Sequence, residues 1–148
     1  MNPGGEFYNI WGADKLPEFP DDGSPYDYYA YFPSKNGFRF GLFTIPPASI
    51  MTEYNLDIEA AIKEIEEKLP GMLAHFEPGD PAMHTTDTID YEYIISGEIW
   101  LELDNGEEVH LKAGDTVVQN GTRHAWRNRS TESCQMVICM IGVNMKDA

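Results

Sequence analysis

From Met72 onward the chain is a succession of short apolar stretches cut by turn residues, and this rhythm restricts the fold more than any other feature. MLAHFE runs into Pro78-Gly79, YEYIIS into Gly97, and EIWLEL into Asp104-Asn105-Gly106. EEVHLK then runs into Ala113-Gly114-Asp115 and TVVQ into Asn120-Gly121, before CQMVICMIG closes the region. Short strands with turn signals at roughly 8–12-residue spacing specify an all-β sandwich or barrel. Asp104-Asn105-Gly106 is expected to make a tight hairpin with consecutive left-handed positions, which Asn and Gly tolerate best.

The part before Met72 is organised differently. Residues 1–37 carry Pro3, Pro17, Pro20, Pro25 and Pro33, which excludes a long helix. They also carry Trp11, Tyr26, Tyr28, Tyr29, Tyr31 and Phe32, too aromatic a set for a free tail, so an irregular arm packed on the domain or on a partner subunit is expected. Phe38 to Ile45 (FRFGLFTI) alternates as a strand does and stops at Pro46-Pro47. Ile58, Ile62, Ile65 and Leu69 then form one apolar stripe of a short amphipathic helix, with Asp57 as its N-cap and Pro70-Gly71 as its end. Such a helix is expected to cover an edge or end of the barrel. With no repeat or linker dividing it, the chain reads as one domain: an arm over 1–37 and a barrel over 38–148.

A chain of 148 residues, 42% hydrophobic and 24% charged, can bury a core without staples. Its net charge of −15 favours solubility and argues against nucleic acid or an anionic membrane as partner. No apolar run approaches the ~20 residues of a membrane span, and the N-terminal residues lack the basic-then-apolar pattern of a signal peptide. Cys134 and Cys139 lie at odd spacing in one strand, on opposite faces, so they do not pair. A reducing cytoplasm is therefore the expected compartment. Exposed barrel edges and the aromatic arm make a homodimer the expected assembly.

Two segments resemble the paired motifs of the cupin superfamily. In GDPAMHTTDTIDYEYIISG, Gly79 precedes His84 by five positions, Thr86 stands where a second His is usual, and Asp90 stands where Glu is usual, seven before Gly97. In GDTVVQNGTRHAWRN, His124 and Asn128 keep their places after Gly121, while the usual proline and one spacer residue are lost. The resemblance covers roughly residues 72–142. It implies a double-stranded β-barrel of jelly-roll type with a pocket inside. In metal-binding members the equivalent residues hold Fe, Mn, Ni or Zn, which carries His84, Asp90 and His124 across as candidate ligands. Two imidazoles and a carboxylate suit non-haem iron or a catalytic zinc; a neutral hydroxyl at Thr86 does not replace the missing imidazole. The same three residues are the candidates for acid–base catalysis without a metal.

Alternation widens the candidate pocket. If Asp90 points inward so does Glu92, while Tyr91 and Tyr93 point out; if His124 points inward, Trp126 and Asn128 follow. Thr86, Glu92, Trp126 and Asn128 are thus the expected substrate-binding residues, Trp126 as a flat wall and Asn128 as an orienting amide. Two carboxyls in one poorly solvated cavity cannot both ionise cheaply, so a raised pKa is expected there. His110 reads as an exposed strand residue, and His75 either enters the cavity or does not. Arg123, Arg127 and Arg129 share the parity opposite His124 and are expected to pair with the chain's own carboxylates or a partner subunit. No serine-nucleophile or phosphate-loop signature is present. The sequence thus points to an enzyme acting on a small carbonyl, aromatic or polyketide-like molecule by dehydration, decarboxylation or isomerisation. A metal-dependent dioxygenase and a non-catalytic small-molecule binder are the alternatives.

Overall fold

The computed structural model describes residues 5–53 and 58–144. Its elements run β1 (Glu6–Ala13), β2 (Phe38–Ile45), α1 (Ala48–Glu53), α2 (Ile58–Lys68), β3 (Phe76–Glu77), β4 (Asp80–His84) and β5 (Thr88–Ser96). They continue with β6 (Glu98–Leu103), β7 (Glu108–Lys112), β8 (Thr116–Asn120), β9 (His124–Arg127) and β10 (Cys134–Gly142). The strands form two five-stranded sheets, ordered β1-β2-β10-β5-β8 and β3-β4-β9-β6-β7. Every pairing is antiparallel. This is the jelly-roll barrel expected from the sequence.

Strict alternation builds the core. Along β10, Cys134, Met136, Ile138 and Met140 turn inward and are buried, while Gln135, Val137, Cys139 and Ile141 turn away. The two cysteines therefore lie on opposite faces and both are free. Ile94 of β5 and Ile99 and Leu101 of β6 meet the β10 methionines to close the centre. The chain crosses from β5 in the first sheet to β6 in the second at Gly97, at φ +76°, where a Cβ would stand 2.5 Å from the Ser133 carbonyl oxygen. Only glycine fits there.

Several local expectations are corrected. The arm is not irregular throughout: Glu6–Ala13 pairs with β2 as an edge strand, with a bulge between Asn9 and Trp11, which blurred its alternation in the sequence. MLAHFE is a 3-10 turn at Leu73–His75 followed by the two-residue β3. At Asp104-Asn105-Gly106 Leu103 donates its N–H to the Glu107 carbonyl (2.8 Å) and accepts from the Gly106 N–H (3.0 Å). The turn is a three-residue loop in which Gly106 (φ +80°) takes the left-handed place and Asn105 does not. Helix α2 starts and ends close to where its periodicity places it; Leu69, just past its end, is buried and Ile65 packs on the core, but Ile62 is half-exposed. The proposed cap Asp57 lies outside the described residues. Helix α1, directly after Pro46-Pro47, is too short to have shown a periodicity.

A buried cation ties the arm to the barrel. Arg39 of β2 is fully buried and donates to the carbonyls of Ala13 (2.9 Å), Phe38 (2.9 Å) and Ala30 (2.9 Å). It also pairs with Asp14 at 2.6 Å and lies 4.1 Å from the centre of the Tyr28 ring. Replacing Arg39 with Met leaves these acceptors without a donor, at a cost of roughly 3–5 kcal/mol. Urea unfolding of Arg39→Met should show a much lower midpoint; an unchanged midpoint would show that the arm is held by other means.

Candidate functional site

The two motif histidines come from different strands and meet. His84 ends β4, His124 begins β9, and the two are direct cross-strand partners. Their ring centres are 4.3 Å apart. His124 is in register with Leu103, and Trp126 with Leu101, so this face of the second sheet is the barrel interior. Each Nδ1 lies against a carbonyl two residues back, His84 on Ala82 at 2.9 Å and His124 on Thr122 at 2.7 Å. A carbonyl only accepts, so in both rings Nδ1 carries the hydrogen and Nε2 keeps its lone pair. Phe76 lies 4.7 Å and Phe32 6.5 Å from the His84 ring, and Trp126 lies edge-on to His124 at 5.9 Å. Burial, with His124 and His75 adding to it, lowers the His84 pKa to about 4. Burial also lowers that of His124. Both imidazoles are neutral at neutral pH.

The inner face of the first sheet supplies the acids. Asp90 and Glu92 of β5 are both buried, one Asp90 oxygen and both Glu92 oxygens having no hydrogen-bond partner among the described residues. Burial raises Asp90 to about 6 against the opposing hydrogen bond of Thr88. Burial and the neighbouring Asp90 charge push Glu92 well above the ordinary carboxylate range. Gln119 of β8 stands in register with Asp90 and its amide nitrogen is likewise unpartnered. Tyr31, from the arm, adds a buried hydroxyl without a partner. Thr86 is buried and its hydroxyl meets that of Thr88 at 2.8 Å.

Sequence reasoning missed Gln119 and Tyr31. Gln119 had a signal, a polar residue at the inward parity of Val117; Tyr31, in an arm without period, had none. Among the candidates, His84, Asp90, Glu92, His124 and Trp126 lie on inner faces. Asn128 does not serve as a substrate amide. Its nitrogen donates to the Ile45 and Glu132 carbonyls, both at 2.8 Å, and its oxygen accepts from the Ser130 N–H and hydroxyl. All four of its bonding positions hold the chain together. His75 places Nδ1 on the Thr85 carbonyl at 3.1 Å and its ring 4.7 Å from Phe32. With Asp14, Tyr29, Phe32, Lys35, Asp87 and Thr88 among its neighbours, it lines a cleft of about 690 Å³ beside the His84 end of the barrel. His110 is exposed, stacked on Trp100 at 4.1 Å and 2.8 Å from Glu98. The clustered arginines pair with the chain's own acids: Arg123 with Glu77 (2.6 Å), Arg127 with Asp80 (2.5 Å) and Glu102 (2.7 Å), and Arg129 with Glu108.

The two histidines have the stance of metal ligands, Nδ1–H anchored and Nε2 free. Among the described residues no third ligand joins them. Asp90 stands on the other sheet, and among the described residues no three His, Cys, Asp or Glu side chains converge closely enough to hold an ion. The trio of His84, Asp90 and His124 is thus not assembled as a metal centre.

Residues 72–141 match the family model described as cupin domain. The phomopsin biosynthesis cluster protein C' of Diaporthe leptostromiformis is 56% identical over 52 residues, which are 35% of this chain and 28% of that protein. A cupin-domain-containing oxidoreductase of Neurospora crassa, srdD, is 32% identical over 97 residues, 59% of this chain and 47% of the relative. This chain thus spans less than half the length of either curated relative. Among solved structures, a cupin 2 conserved barrel domain protein from Salinispora arenicola superposes with a TM-score of 0.44 at 17% identity, covering 70% of this chain and 62% of its own. Among the described residues no helix is long and apolar enough to cross a membrane.

The buried carboxyl makes a pH signature. Asp90 at about 6 when folded, against an ordinary value near 3.9 unfolded, keeps its proton in the folded state where the unfolded chain releases it. Its contribution therefore falls as pH rises through that window, and above it the folded state bears a cost of order 2–3 kcal/mol. Melting temperatures should be higher for Asp90→Asn than for the wild type at pH ~8, with the margin shrinking towards pH ~4. A margin independent of pH would show that Asp90 is solvated.

Proposed function

This chain carries a cupin domain over residues 72–141, and on that premise we propose that it is an enzyme acting on a small organic molecule by proton transfer inside the barrel. The observation that carries the reading is the pair of neutral imidazoles 4.3 Å apart, each with Nδ1 engaged and Nε2 free. A buried imidazole with a free lone pair is a general base. When one ring of such a pair takes a proton, the neighbouring ring opposes a second, so the pair accepts one proton at a time. The opposite sheet offers the complement: Glu92, whose pKa is raised by burial and by the Asp90 charge, is the candidate acid to return a proton. Trp126 and the half-buried aromatics around His84 suit an apolar or aromatic skeleton. The unpartnered Asp90, Gln119 and Tyr31 groups suit its oxygen substituents. Dehydration, decarboxylation and isomerisation of a carbonyl, aromatic or polyketide-like compound are reactions in which such a base and acid take part. The relative named as a biosynthesis cluster protein supports an enzymatic role.

A second reading is favoured by relatives named cupin-domain-containing oxidoreductases. It requires redox chemistry, with a divalent Fe, Zn, Mn or Ni ion as the candidate cofactor, and a third metal ligand that the described residues do not bring to the histidines. Elemental analysis and chelation separate the two. Activity on a panel of small carbonyl and aromatic acids should survive chelation on the first reading. Loss on chelation and recovery with one added ion would move the assignment to the second.

His84→Ala and His124→Ala should each lower kcat by about 10²–10⁴ while leaving the fold intact by circular dichroism. Activity should fall on acidification with a midpoint below the ordinary imidazole value near 6.5, since both rings titrate low. Ligand binding with no turnover in wild type or variants would identify the barrel as a binding module.

A further inference from the structure

Four side chains inside the barrel keep polar atoms without a partner among the described residues: the Tyr31 hydroxyl, Asp90 Oδ1, both Glu92 carboxyl oxygens and the Gln119 amide nitrogen. None of the four residues is more than 4% exposed. Register puts three of them on the inner face of the first sheet. One cross-strand row runs Arg39, Met140, Asp90 and Gln119; the next runs Gly41, Ile138, Glu92 and Val117. Tyr31 reaches this face from the arm. Its backbone N–H donates to the Pro70 carbonyl (2.9 Å), Arg39 holds the carbonyl of the preceding Ala30 (2.9 Å), and its ring packs 6.1 Å from that of Phe43 in β2. Burial, and after it the Asp90 charge, push its pKa well above the ordinary phenol value, so the hydroxyl keeps its proton. Donor and acceptor character divides the group. The Gln119 nitrogen only donates, the Tyr31 hydroxyl has a proton to donate, and the Asp90 oxygen accepts. Arg39 stands in the row of Asp90 and Gln119, yet its N–H groups are engaged by the Ala13, Ala30 and Phe38 carbonyls and by Asp14.

We propose that Tyr31, Gln119 and Asp90 are a specificity-determining set that reads a neutral hydroxy-carbonyl unit in the ligand. The carbonyl oxygen accepts from the Tyr31 hydroxyl and the Gln119 amide, and the ligand's hydroxyl donates to Asp90. This narrows the proton-transfer reading above, and it rests on that reading in taking the ligand to lie between the two sheets. Facing sheets stand about 10 Å apart, so a small skeleton held by these groups on one sheet turns its other side to the imidazoles on the second. Glu92, one row further along, is left for the acid role. Other ligand classes match less well. A hydrocarbon leaves all three groups unsatisfied, at the cost that burying them already carries. A carboxylate sets its charge against the acids, and among the described residues Arg39 has no N–H left to meet it. A site built to hydrogen-bond a ligand group rejects the analogue lacking that group strongly, because its own buried polar atoms are then left unpaired. The arm thereby selects the ligand, since it supplies one of the two donors.

Calorimetric titration of the full chain at neutral pH, with EDTA present, tests the set with the ring isomers of hydroxyacetophenone as probes. At least one isomer should bind about tenfold or more tighter than acetophenone, which lacks the hydroxyl, and than its own methoxy ether, which cannot donate. Tyr31→Phe and Gln119→Leu should each weaken that isomer about five- to tenfold and leave the matching ethylphenol, which has no carbonyl, unchanged. Asp90→Ala should weaken it about tenfold or more and leave acetophenone unchanged. Tyr31→Phe should also melt no lower than the wild type, because the hydroxyl removed has no partner to lose. Hydroxy ketones that bind no tighter than acetophenone, losses that fall equally on every probe, or a lowered Tyr31→Phe melting temperature with unchanged affinities would each overturn the assignment. The readout is binding, so it separates from the proton-transfer reading: absence of turnover sinks that reading while these cycles stand, and the cycles can fail while turnover persists.

Discussion

Side-chain alternation about two stacked sheets governs both faces of this molecule. In β5 the same nine residues place Thr88, Asp90, Glu92 and Ile94 inside and Tyr91, Tyr93 and Ile95 outside. A slip of one residue against β10 would exchange the two sets, setting tyrosines in the core and carboxylates on the apolar face. The register is pinned from both sides, since β5 lies between β10 and β8 with Asp90 opposite Met140 on one and Gln119 on the other. The same constraint works in the second sheet, where pairing of β4 with β9 sets His84 against His124. Catalytic candidates and the apolar outer face are thus two consequences of one pairing pattern.

The interior is organised in two zones. Around Ile94, Ile99, Leu101 and Met136 it is an ordinary apolar core, while Asp90, Glu92, Gln119 and Tyr31 present polar atoms without partners among the described residues. An unpartnered buried polar group costs roughly 1–3 kcal/mol. Several together are a burden that folding alone gives no reason to keep. The burden is understandable if a bound molecule or ordered water completes the hydrogen bonds, and it marks that zone as the one shaped for a ligand. The histidines follow the same logic: both remain neutral because burial penalises their charged forms, the condition a base needs at neutral pH.

The parts of this architecture legible in the sequence were those with a period or a motif. Alternation and turn residues outlined β5 to β10, and the motif spacing brought His84 and His124 together across forty positions of chain. Parity alone correctly assigned inner faces to Glu92 and Trp126 and an outer face to the three arginines. What escaped had no local signature. The bulge at Asn9–Trp11 disguised β1, and Asn128 looked like a pocket amide because spacing does not reveal which carbonyls a side chain will find. The metal trio was read from a motif in which Asp90 replaces a longer acid. Asp90 stands on the other sheet, and among the described residues it does not converge with the two imidazoles on an ion site.

Arg39 shows how a residue far from any motif can shape the site. Its strand lies in the sheet of Asp90, yet its guanidinium turns to the arm and holds the carbonyls of Ala13 and Ala30 and the carboxylate of Asp14. Asp14 and Ala30 line the cleft beside His84, together with Tyr29 and Phe32 of the same segment. A proline-rich stretch with little secondary structure of its own would otherwise have to order this wall at full conformational cost. Anchoring it on one buried cation ties the shape of this cleft to the integrity of the barrel wall. The arm therefore contributes to the barrel as well as covering it: Tyr31 brings its buried hydroxyl to the interior, and Phe32 stacks near the His84 ring while lining the cleft.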